Sequence, residues 1–333
     1  MIQSIESGSE RIIISILKIL SENSKPLGAT TIARRLKYDG VSLGERGVRY
    51  HLKISDLRGY TQLIGREGRI ITSEGRQEIK EAFATQQLGF VRERLKALAF
   101  QTTFDPEKRT GKLPINTSLI KKSEFKRAIS AMEAAFKAGI CVSNLVSIAQ
   151  EGDKLGSVVI PDGHIGLATV CSVVINGVLL RGGVSCNYRF GGVLQIRNSR
   201  PKRFIGIIEY SGTSLDPSEQ FIRAKMTSVN EAIKTGSGKI LGVFRTIPAL
   251  AKEVAENKMA LLREAGISGV YTLGNIGEPL YETPVEPNRI GMVQLSGLNP
   301  TAAACEAGIE IESVAESGLI NYEELQNFKQ ILF

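Results

Sequence analysis

The sequence predicts an α+β protein with an N-terminal winged helix-turn-helix over residues 1–84 and a mixed-sheet α/β domain over residues 85–333. Three observations support this prediction. Three short amphipathic patterns are followed by a pattern of period two in the first 84 residues. Positive charge is concentrated in the same segment, and the rest of the chain alternates short β-rich runs with helical patterns. We therefore expect two domains of different character.

Length and composition indicate an ordinary globular protein. The chain has 333 residues, of which 42% are hydrophobic and 23% charged, so disordered and fibrous classes are excluded. No apolar run reaches the length of about 18 residues that a membrane helix needs. The first 24 residues carry five charged side chains, which the core of a signal peptide does not tolerate. We expect a cytoplasmic protein without a membrane partner.

The positive charge is unevenly distributed. The whole chain has 42 Lys and Arg against 34 Asp and Glu, a formal net charge of +8. Residues 25–80 alone hold twelve basic and six acidic residues, so most of the excess lies in about one sixth of the chain. Such an asymmetry is typical of a nucleic-acid surface.

The elements of this basic segment follow the order of a winged helix. A first helix is predicted over residues 10–22 with Ser9 as its N-cap, and Thr30 or Thr31 is expected to cap a short second helix. A third helix is predicted within residues 44–59. Residues 60–64 and 69–72 alternate around a glycine-flanked turn, which predicts a hairpin wing.

The third helix is predicted to read DNA. Arg46, Arg49 and Lys53 are spaced at i, i+3 and i+7, which places them on one solvent-facing stripe. Arginine and lysine are the donors that contact base edges and phosphates in the major groove. The predicted DNA-binding residues are Arg34, Arg46, Arg49, Tyr50, Lys53, Arg66 and Arg69. The alternative is a solvated basic face on a protein-binding winged helix, and His51 is expected to pack against the second helix.

Residues 73–100 are predicted to form a helical connector, interrupted near Gly89. Gly and Pro do not cluster there as they do in flexible linkers. We expect a stiff junction that transmits a change in the second domain to the first.

The second domain is predicted to hold two long helices, over residues 123–138 and 248–265. Apolar runs predict strands, and Asn176-Gly177 between two of them predicts a hairpin turn. The predicted strands cover residues 155–160, 166–175, 178–180, 204–210, 240–244, 270–273 and 290–295.

Catalysis and metal binding are poorly supported. Four cysteines lack any C-x-x-C spacing, and His164 is the second domain's only histidine available to activate Cys171 or Cys186. Glu209 and Asp216 are explained as a strand-end charge and a helix cap. No phosphate-binding glycine fingerprint occurs. We expect no catalytic residue, no metal and no cofactor, the alternative being a small-molecule-converting enzyme tethered to a winged-helix interaction module.

Several strings in the second domain resemble the nitrogen regulatory repressor family (NrpR) of methanogens and related microbes. NGVLL at residues 176–180 and YSGTSLDP at residues 210–217 are the most specific, and GERGVRYHL at 44–52 is similar to that family's winged helix. Shorter similar strings are PLGA at 26–29, GRIIT at 68–72, RFGG at 189–192, MTS at 226–228, GSGK at 236–239 and GLNP at 297–300.

The resemblance covers nearly the whole chain. It implies a homodimeric repressor of nitrogen-assimilation genes that is released from double-stranded operator DNA by 2-oxoglutarate. Residues 85–333 then form a single effector-sensing and dimerisation domain, since they have room for only one. Whether the chain acts alone or with a second NrpR-family protein stays open.

A 2-oxoglutarate pocket needs cationic or N–H donors for two carboxylates. The loop at residues 210–217 offers hydroxyl groups and precedes a helix expected to begin near Pro217, and residues 298–301 form a similar strand-to-helix turn. The candidate effector-binding residues are Arg189, Ser211, Thr213, Ser214, Arg245 and Asn299. For each one the alternative is a structural role, as a helix cap or in an ion pair.

Overall fold

The computed structural model describes residues 2–23, 25–86 and 90–331, and the chain divides into two compact units, residues 1–88 and 89–333. The first unit is a winged helix and the second an α+β domain, so the predicted fold class is confirmed. The expected interruption of the connector near Gly89 lies outside the described residues. Helices α4 and α5 flank that position.

Among its described residues, the winged-helix unit holds four helices and a two-stranded hairpin. Its elements are α1 (Ile2–Ser21), α2 (Ala29–Tyr38), α3 (Glu45–Leu57), β1 (Thr61–Ile64), β2 (Gly68–Ile71) and α4 (Ser73–Gln86). The apolar faces of α1, α2 and α3 meet in one core that the wing closes through Ile71. Burying these aliphatic side chains supplies the main stabilisation of the unit.

Two predicted helix caps are wrong. Helix α1 begins at Ile2, so Ser9 lies inside it and does not cap it. Gly28, not Thr30 or Thr31, is the N-cap of α2, and Thr30 Oγ1 instead donates to the Glu45 carboxylate at 2.9 Å. Both errors arose because a hydroxyl residue next to an apolar pattern satisfies the capping rule equally well from inside a helix.

Gly68 brings the wing against the chain that precedes α2. Its φ is +125°, and an added Cβ would lie 2.3 Å from the backbone of Leu27. The N–H groups of Leu27 and Arg69 each donate to the other residue's carbonyl oxygen, both at 3.0 Å. Any side chain at position 68 would break this bridge, so the glycine fixes the position of the wing.

The second unit contains two five-stranded sheets and seven helices among its described residues. The helices are α5 (Phe90–Gln101), α6 (Phe125–Lys137), α7 (Val173–Arg181), α8 (Pro217–Arg223), α9 (Val229–Thr235), α10 (Lys252–Glu264) and α11 (Asn299–Glu306). The strands are β3 (Lys112–Lys121), β4 (Leu145–Ala149), β5 (Lys154–Leu155), β6 (Val158–Val159), β7 (His164–Val170), β8 (Asn187–Arg197), β9 (Arg200–Glu209), β10 (Gly238–Pro248), β11 (Val270–Ile276), β12 (Arg289–Leu295), β13 (Ile311–Asn321) and β14 (Gln326–Asn327).

The first sheet has the order β13-β3-β7-β4-β14 and the second β11-β12-β10-β8-β9, while β5 and β6 form a small hairpin. Every pairing between described strands is antiparallel, so the expectation of a mixed sheet is wrong. Helices α7 and α10 share one apolar core with residues of both sheets. Helices α8, α9 and α11 pack with the second sheet in another.

The predicted hairpin at Asn176-Gly177 is also wrong, because both residues lie inside the buried helix α7. Strand β7 ends at Val170, and the apolar residues that follow are buried as helix rather than as strand. An apolar run without periodicity fits either structure. Gly177 is required by packing, since a Cβ there would lie 2.5 Å from Thr102 Cβ.

Other boundaries differ less. The predicted strand over residues 155–160 is the β5–β6 hairpin, and the helix predicted from residue 248 begins at Lys252 after a short 3₁₀ turn. Sequence reasoning missed the long strands β3, β8 and β13. No described helix has the length and apolar character required to cross a membrane.

Candidate functional site

The outer face of α3 carries the predicted cationic stripe. Arg46, Arg49 and Lys53 are all exposed, while Val48 and Leu52 on the opposite side are fully buried. Arg49 pairs with Glu45 one turn earlier yet keeps 70% of its side chain exposed. The helix therefore presents three cations to solvent on one face.

Three other predicted DNA-binding residues extend this surface. Tyr50 is 63% exposed beside the stripe, and Arg34 is exposed on α2. Arg66 lies exposed in the turn between β1 and β2. Each of these side chains is free to contact a phosphate or a base edge.

Arg69 occupies a different environment. Its Nε donates to Asp56 Oδ2 at 2.8 Å and to Oδ1 at 3.1 Å, and Thr61 Oγ1 donates to the same carboxylate. Only 20% of the Arg69 side chain is exposed. The ion pair holds β2 against the end of α3, so Arg69 positions the wing.

His51 is buried on the inner side of α3. Its Nδ1 lies 3.3 Å from Ser9 Oγ on α1, which differs from the expected packing against α2. Burial lowers the pKa of His51, so the ring is neutral at physiological pH. A neutral, buried imidazole contributes packing rather than a DNA contact.

A small polar cavity lies inside the second unit where three helices begin. Ser172, Asp216 and Leu298 line it, and they are the N-caps of α7, α8 and α11. Helix N-termini carry partial positive charge and free N–H groups. The volume open to a water-sized molecule is about 10 Å³, the space of roughly one water.

Arg245 is the cation of this cavity. It lies within β10, not at the end of a strand as expected, and its side chain is 1% exposed. The guanidinium Cζ is 4.6 Å from the ring centroids of both Tyr188 and Tyr210. Among the described residues no hydrogen-bond acceptor reaches its Nε, and no carboxylate forms an ion pair with it. A buried, incompletely satisfied guanidinium is an energetic cost unless an anion binds it.

Two carboxyl groups also line the cavity. Asp216 accepts a hydrogen bond from Glu219 N at 3.0 Å as the cap of α8. Burial raises the pKa of Asp216 well above its usual range, and the nearby Glu316 carboxylate raises it further. Glu316 is itself paired with Arg94 of α5 at 2.8 Å. The cavity therefore holds one acid whose ionisation is disfavoured by burial and one carboxylate that is already paired.

Of the six predicted effector-binding residues, the structure places only Arg245 in this cavity. Arg189 is on β8 and pairs with Glu286 at 2.9 Å. Ser211 is exposed, and the Thr213 hydroxyl donates to the Leu215 carbonyl oxygen within the loop. Ser214 is half-buried in the same loop.

Asn299 lies next to the cavity but is fully engaged. Its amide accepts from the backbone N–H of Leu241 at 2.8 Å and donates to the carbonyl oxygens of Leu241 and Ser296. These bonds fix the start of α11 on β10. Sequence reasoning missed Glu316 and Ser218 in the cavity, because nothing local marks either residue.

Burial disfavours the thiolate form of the cysteines considered as nucleophiles. Burial raises the pKa of Cys186 to about 12 and raises that of Cys171 further. His164 begins β7, where its Nδ1 lies 3.0 Å from the Asp162 carbonyl oxygen. Within the described ranges, no group of three or more His, Cys, Asp and Glu residues is arranged to hold a metal ion.

A winged helix with an exposed cationic helix, followed by an α+β unit with a polar cavity, defines a winged-helix transcription regulator. Residues 14–79 match the winged-helix domain family of ribonuclease R, and residues 88–327 match the family of NrpR regulatory domains NRD1 and 2. The second match covers more than half of the chain. The chain belongs to the NrpR family, and it is a nitrogen-related transcriptional regulator.

Similar proteins agree with this assignment. The global nitrogen regulator NrpRI of Methanosarcina mazei is 39% identical over 95% of this chain and 98% of its own. The NrpR proteins of Methanococcus maripaludis and Methanocaldococcus jannaschii are 29% and 28% identical over 94% and 96% of this chain. This chain spans about half of their length, 54% and 56%.

A solved structure shares the fold of the second unit. The crystal structure of a nitrogen repressor-like protein from Methanococcus jannaschii aligns with a TM-score of 0.61 and 26% identity, over 72% of this chain and 98% of that one. All three curated relatives are named as regulators, and the NrpR family is non-enzymatic. The prediction that the chain is not an enzyme is thereby confirmed.

Proposed function

We propose that this protein is a DNA-binding repressor of nitrogen-assimilation genes, that it acts as a homodimer, and that 2-oxoglutarate releases it from its operator. The observation that carries the proposal is the exposed stripe of Arg46, Arg49 and Lys53 on the third helix of a winged helix. A third helix of this kind enters the major groove, where arginine reads guanine and lysine neutralises phosphate.

The DNA-binding surface combines this stripe with its neighbours. Arg34 and Tyr50 lie exposed beside α3, and Arg66 at the wing tip is placed for the phosphate backbone or the minor groove. Arg69 acts indirectly, because its bond to Asp56 fixes the wing. In a homodimer each α3 reads one half-site, and the half-sites lie about 34 Å or a multiple apart.

The cavity around Arg245 suits one end of a dicarboxylate. A carboxylate there would receive the Nε–H that has no acceptor among the described residues, together with the favourable dipoles of α7 and α11. Hydroxyl groups of Ser172 and Ser218 supply further donors. Because burial raises the pKa of Asp216, its carboxyl group ionises less readily, which reduces its repulsion of the ligand.

Ligand binding must enlarge this cavity, since its present volume admits only a water molecule. Helix α5 is the first helix of the second unit, residues 89–333, which we call the regulatory unit. Glu316 in the cavity wall accepts from Arg94 of α5, and the Thr213 carbonyl oxygen, in the loop before Asp216, accepts from Val91 N of α5 at 3.5 Å. Displacing Glu316 or this loop would move α5, and α5 follows the residues that join the two units.

The DNA assignment is tested with an operator selected from random duplexes by the full chain. Arg49→Ala should weaken operator binding by about 1–3 kcal/mol if Arg49 reads a base. Arg11→Ala is the matched control, because Arg11 is an exposed arginine on a different helix, α1, and is not one of the predicted DNA-binding residues. Unchanged affinity for Arg49→Ala, together with unchanged affinity for Arg46→Ala, would remove α3 from the reading role.

A further inference from the structure

A second concentration of positive charge lies in the regulatory unit, at the turn between β8 and β9. Arg197 is paired directly with Arg200 across the hairpin, and Gln195 is paired with Arg203 on β9 and with Lys239 on β10. Gln195 and Arg197 are two positions apart on β8, so they share a face. The β8–β9 register shifts by one residue between the Gln195 and Ile196 pairs, but each of these cations is at, or paired across from, position 195 or 197 of β8. The pairing therefore brings Arg197, Arg200, Arg203 and Lys239 together at one end of three adjacent strands. We call these four residues the basic hairpin face.

These cations are poorly neutralised. Arg203 contacts Glu282 at 3.4 Å, and within the described part of the chain no carboxylate lies within ion-pair distance of Arg197, Arg200 or Lys239. All four side chains belong to exposed residues. Like charges directly opposite each other destabilise a hairpin. Arg197 and Arg200 bear this cost with no compensating ion pair in the described structure.

The tip that carries them is held in place. Asn198 and Ser199 form a two-residue turn with φ values of +51° and +57°, the conformation that fits the twist of a hairpin. Ser199 N donates to the Gly236 carbonyl oxygen at 2.7 Å, and Asn198 N donates to Ser237 Oγ at 3.2 Å. These hydrogen bonds anchor the backbone of the tip to the loop before β10. The positions of the charged residues beside the tip are therefore restrained.

We propose that the basic hairpin face binds the phosphate backbone of duplex DNA, as a contact additional to the winged helix. A row of unpaired Arg and Lys side chains on a β-ribbon neutralises phosphates without reading bases. The contact adds affinity that is independent of sequence and strongly dependent on salt. Through this contact the regulatory unit would bind DNA independently of the winged helix.

The composition of the face favours DNA over an acidic protein. Protein interfaces are built around apolar and aromatic side chains, whereas DNA-binding surfaces are polar and positively charged. Residues 197–203 contain no aromatic or large aliphatic side chain. The exposed Ile205 and Ile207 follow on β9, two and four residues after Arg203, so they adjoin this segment without being part of it.

The test measures binding of the full chain to a nonspecific duplex over a range of salt concentrations. In the test variant Arg197, Arg200 and Lys239 are all replaced by Gln. In a control of equal net charge Lys112, Lys154 and Lys329, exposed residues outside the second sheet, are replaced by Gln. We expect the slope of log affinity against log salt to fall by roughly 2.7 in the test variant, about 0.9 for each lost phosphate contact, and to stay unchanged in the control.

The same measurement in an Arg46→Ala/Arg49→Ala background separates the two DNA surfaces. If the hairpin substitutions reduce the salt slope in that background, the result supports the proposal even if α3 proves not to read the operator. Equal salt slopes for the test and control variants would overturn it.

Discussion

Arg94 Nη2 donates to Glu316 Oε2 at 2.8 Å, and this ion pair connects the first helix of the regulatory unit to the wall of its polar cavity. The side chain of Glu316 is only 6% exposed, whereas that of Arg94 is 40% exposed. Glu316 also has a φ of +47°, an unfavourable conformation for a residue with a side chain. The bond therefore holds a strained residue of β13 next to the cavity.

Glu316→Gln should destabilise the regulatory unit by roughly 1–2 kcal/mol, because a charge-assisted hydrogen bond is lost and Arg94 keeps partial access to water. Chemical denaturation measures this change. The control Glu93→Gln removes only exposed pairs on the same helix and should leave stability nearly unchanged. Equal effects of the two substitutions would show that the Arg94–Glu316 pair has no special part in docking α5.

Asp216 should make stability depend on pH. Burial raises its pKa above the ordinary value of 3.8, so folding favours the protonated acid. Its contribution is fully present below the pKa of the unfolded chain and is lost as pH rises through the folded-state pKa. The free energy of unfolding should therefore decrease as pH rises from about 4 to the folded-state pKa of Asp216.

Asp216→Asn keeps a good helix cap and removes the titration, so the variant should be within about 1 kcal/mol of wild type at low pH and relatively more stable at neutral pH. Thermal denaturation between pH 5 and pH 8 measures the difference. A variant whose stability follows pH in parallel with the wild type would show that Asp216 does not titrate in this range.

Gly177→Ala should be destabilising, although Ala normally stabilises a helix interior by about 1 kcal/mol relative to Gly. The added Cβ would lie 2.5 Å from Thr102 Cβ, close to the backbone of a neighbouring segment. We expect a loss of roughly 1–3 kcal/mol in denaturant titration, as for other overpacked cores. A stabilised variant would mean that α7 is not packed against Thr102.

The thiols should resist alkylation in the native protein. Burial raises the pKa values of Cys141 and Cys186 to about 12, so almost no thiolate forms near neutral pH. Iodoacetamide at pH 8 should label these two cysteines only after denaturation, as measured by mass spectrometry. Cys171→Ser and Cys186→Ser should retain operator binding. Rapid labelling of Cys141 or Cys186 in the native protein would contradict this prediction and would favour a reactive thiol.

The sequence predicted the winged helix well because its signals are local. The alternation of Val48 and Leu52 with Arg49 and Lys53 determines both the helix and its two faces. The glycines at the wing likewise mark a turn that the structure contains. Arg69 was less predictable, because its partner Asp56 becomes apparent only when β2 lies against α3.

The regulatory unit was harder to predict because its signals depend on distant contacts. Asn176-Gly177 has the composition of a turn, but Gln294 donates to Asn176 Oδ1 from β12 and Thr102 packs on Gly177. The cavity likewise joins Arg245 of β10 to Glu316 of β13. Tertiary contacts over such separations override local preference, and no single segment of sequence contains them.

Release by 2-oxoglutarate is measured most directly as the operator affinity of the full chain with and without the saturating ligand. The ligand should weaken wild-type binding at least about tenfold, a coupling near 1.4 kcal/mol. Arg245→Met should bind the operator like wild type without responding, whereas Arg189→Met, altered outside the cavity, should still respond. Identical operator affinity with and without 2-oxoglutarate in the wild-type protein would contradict the account.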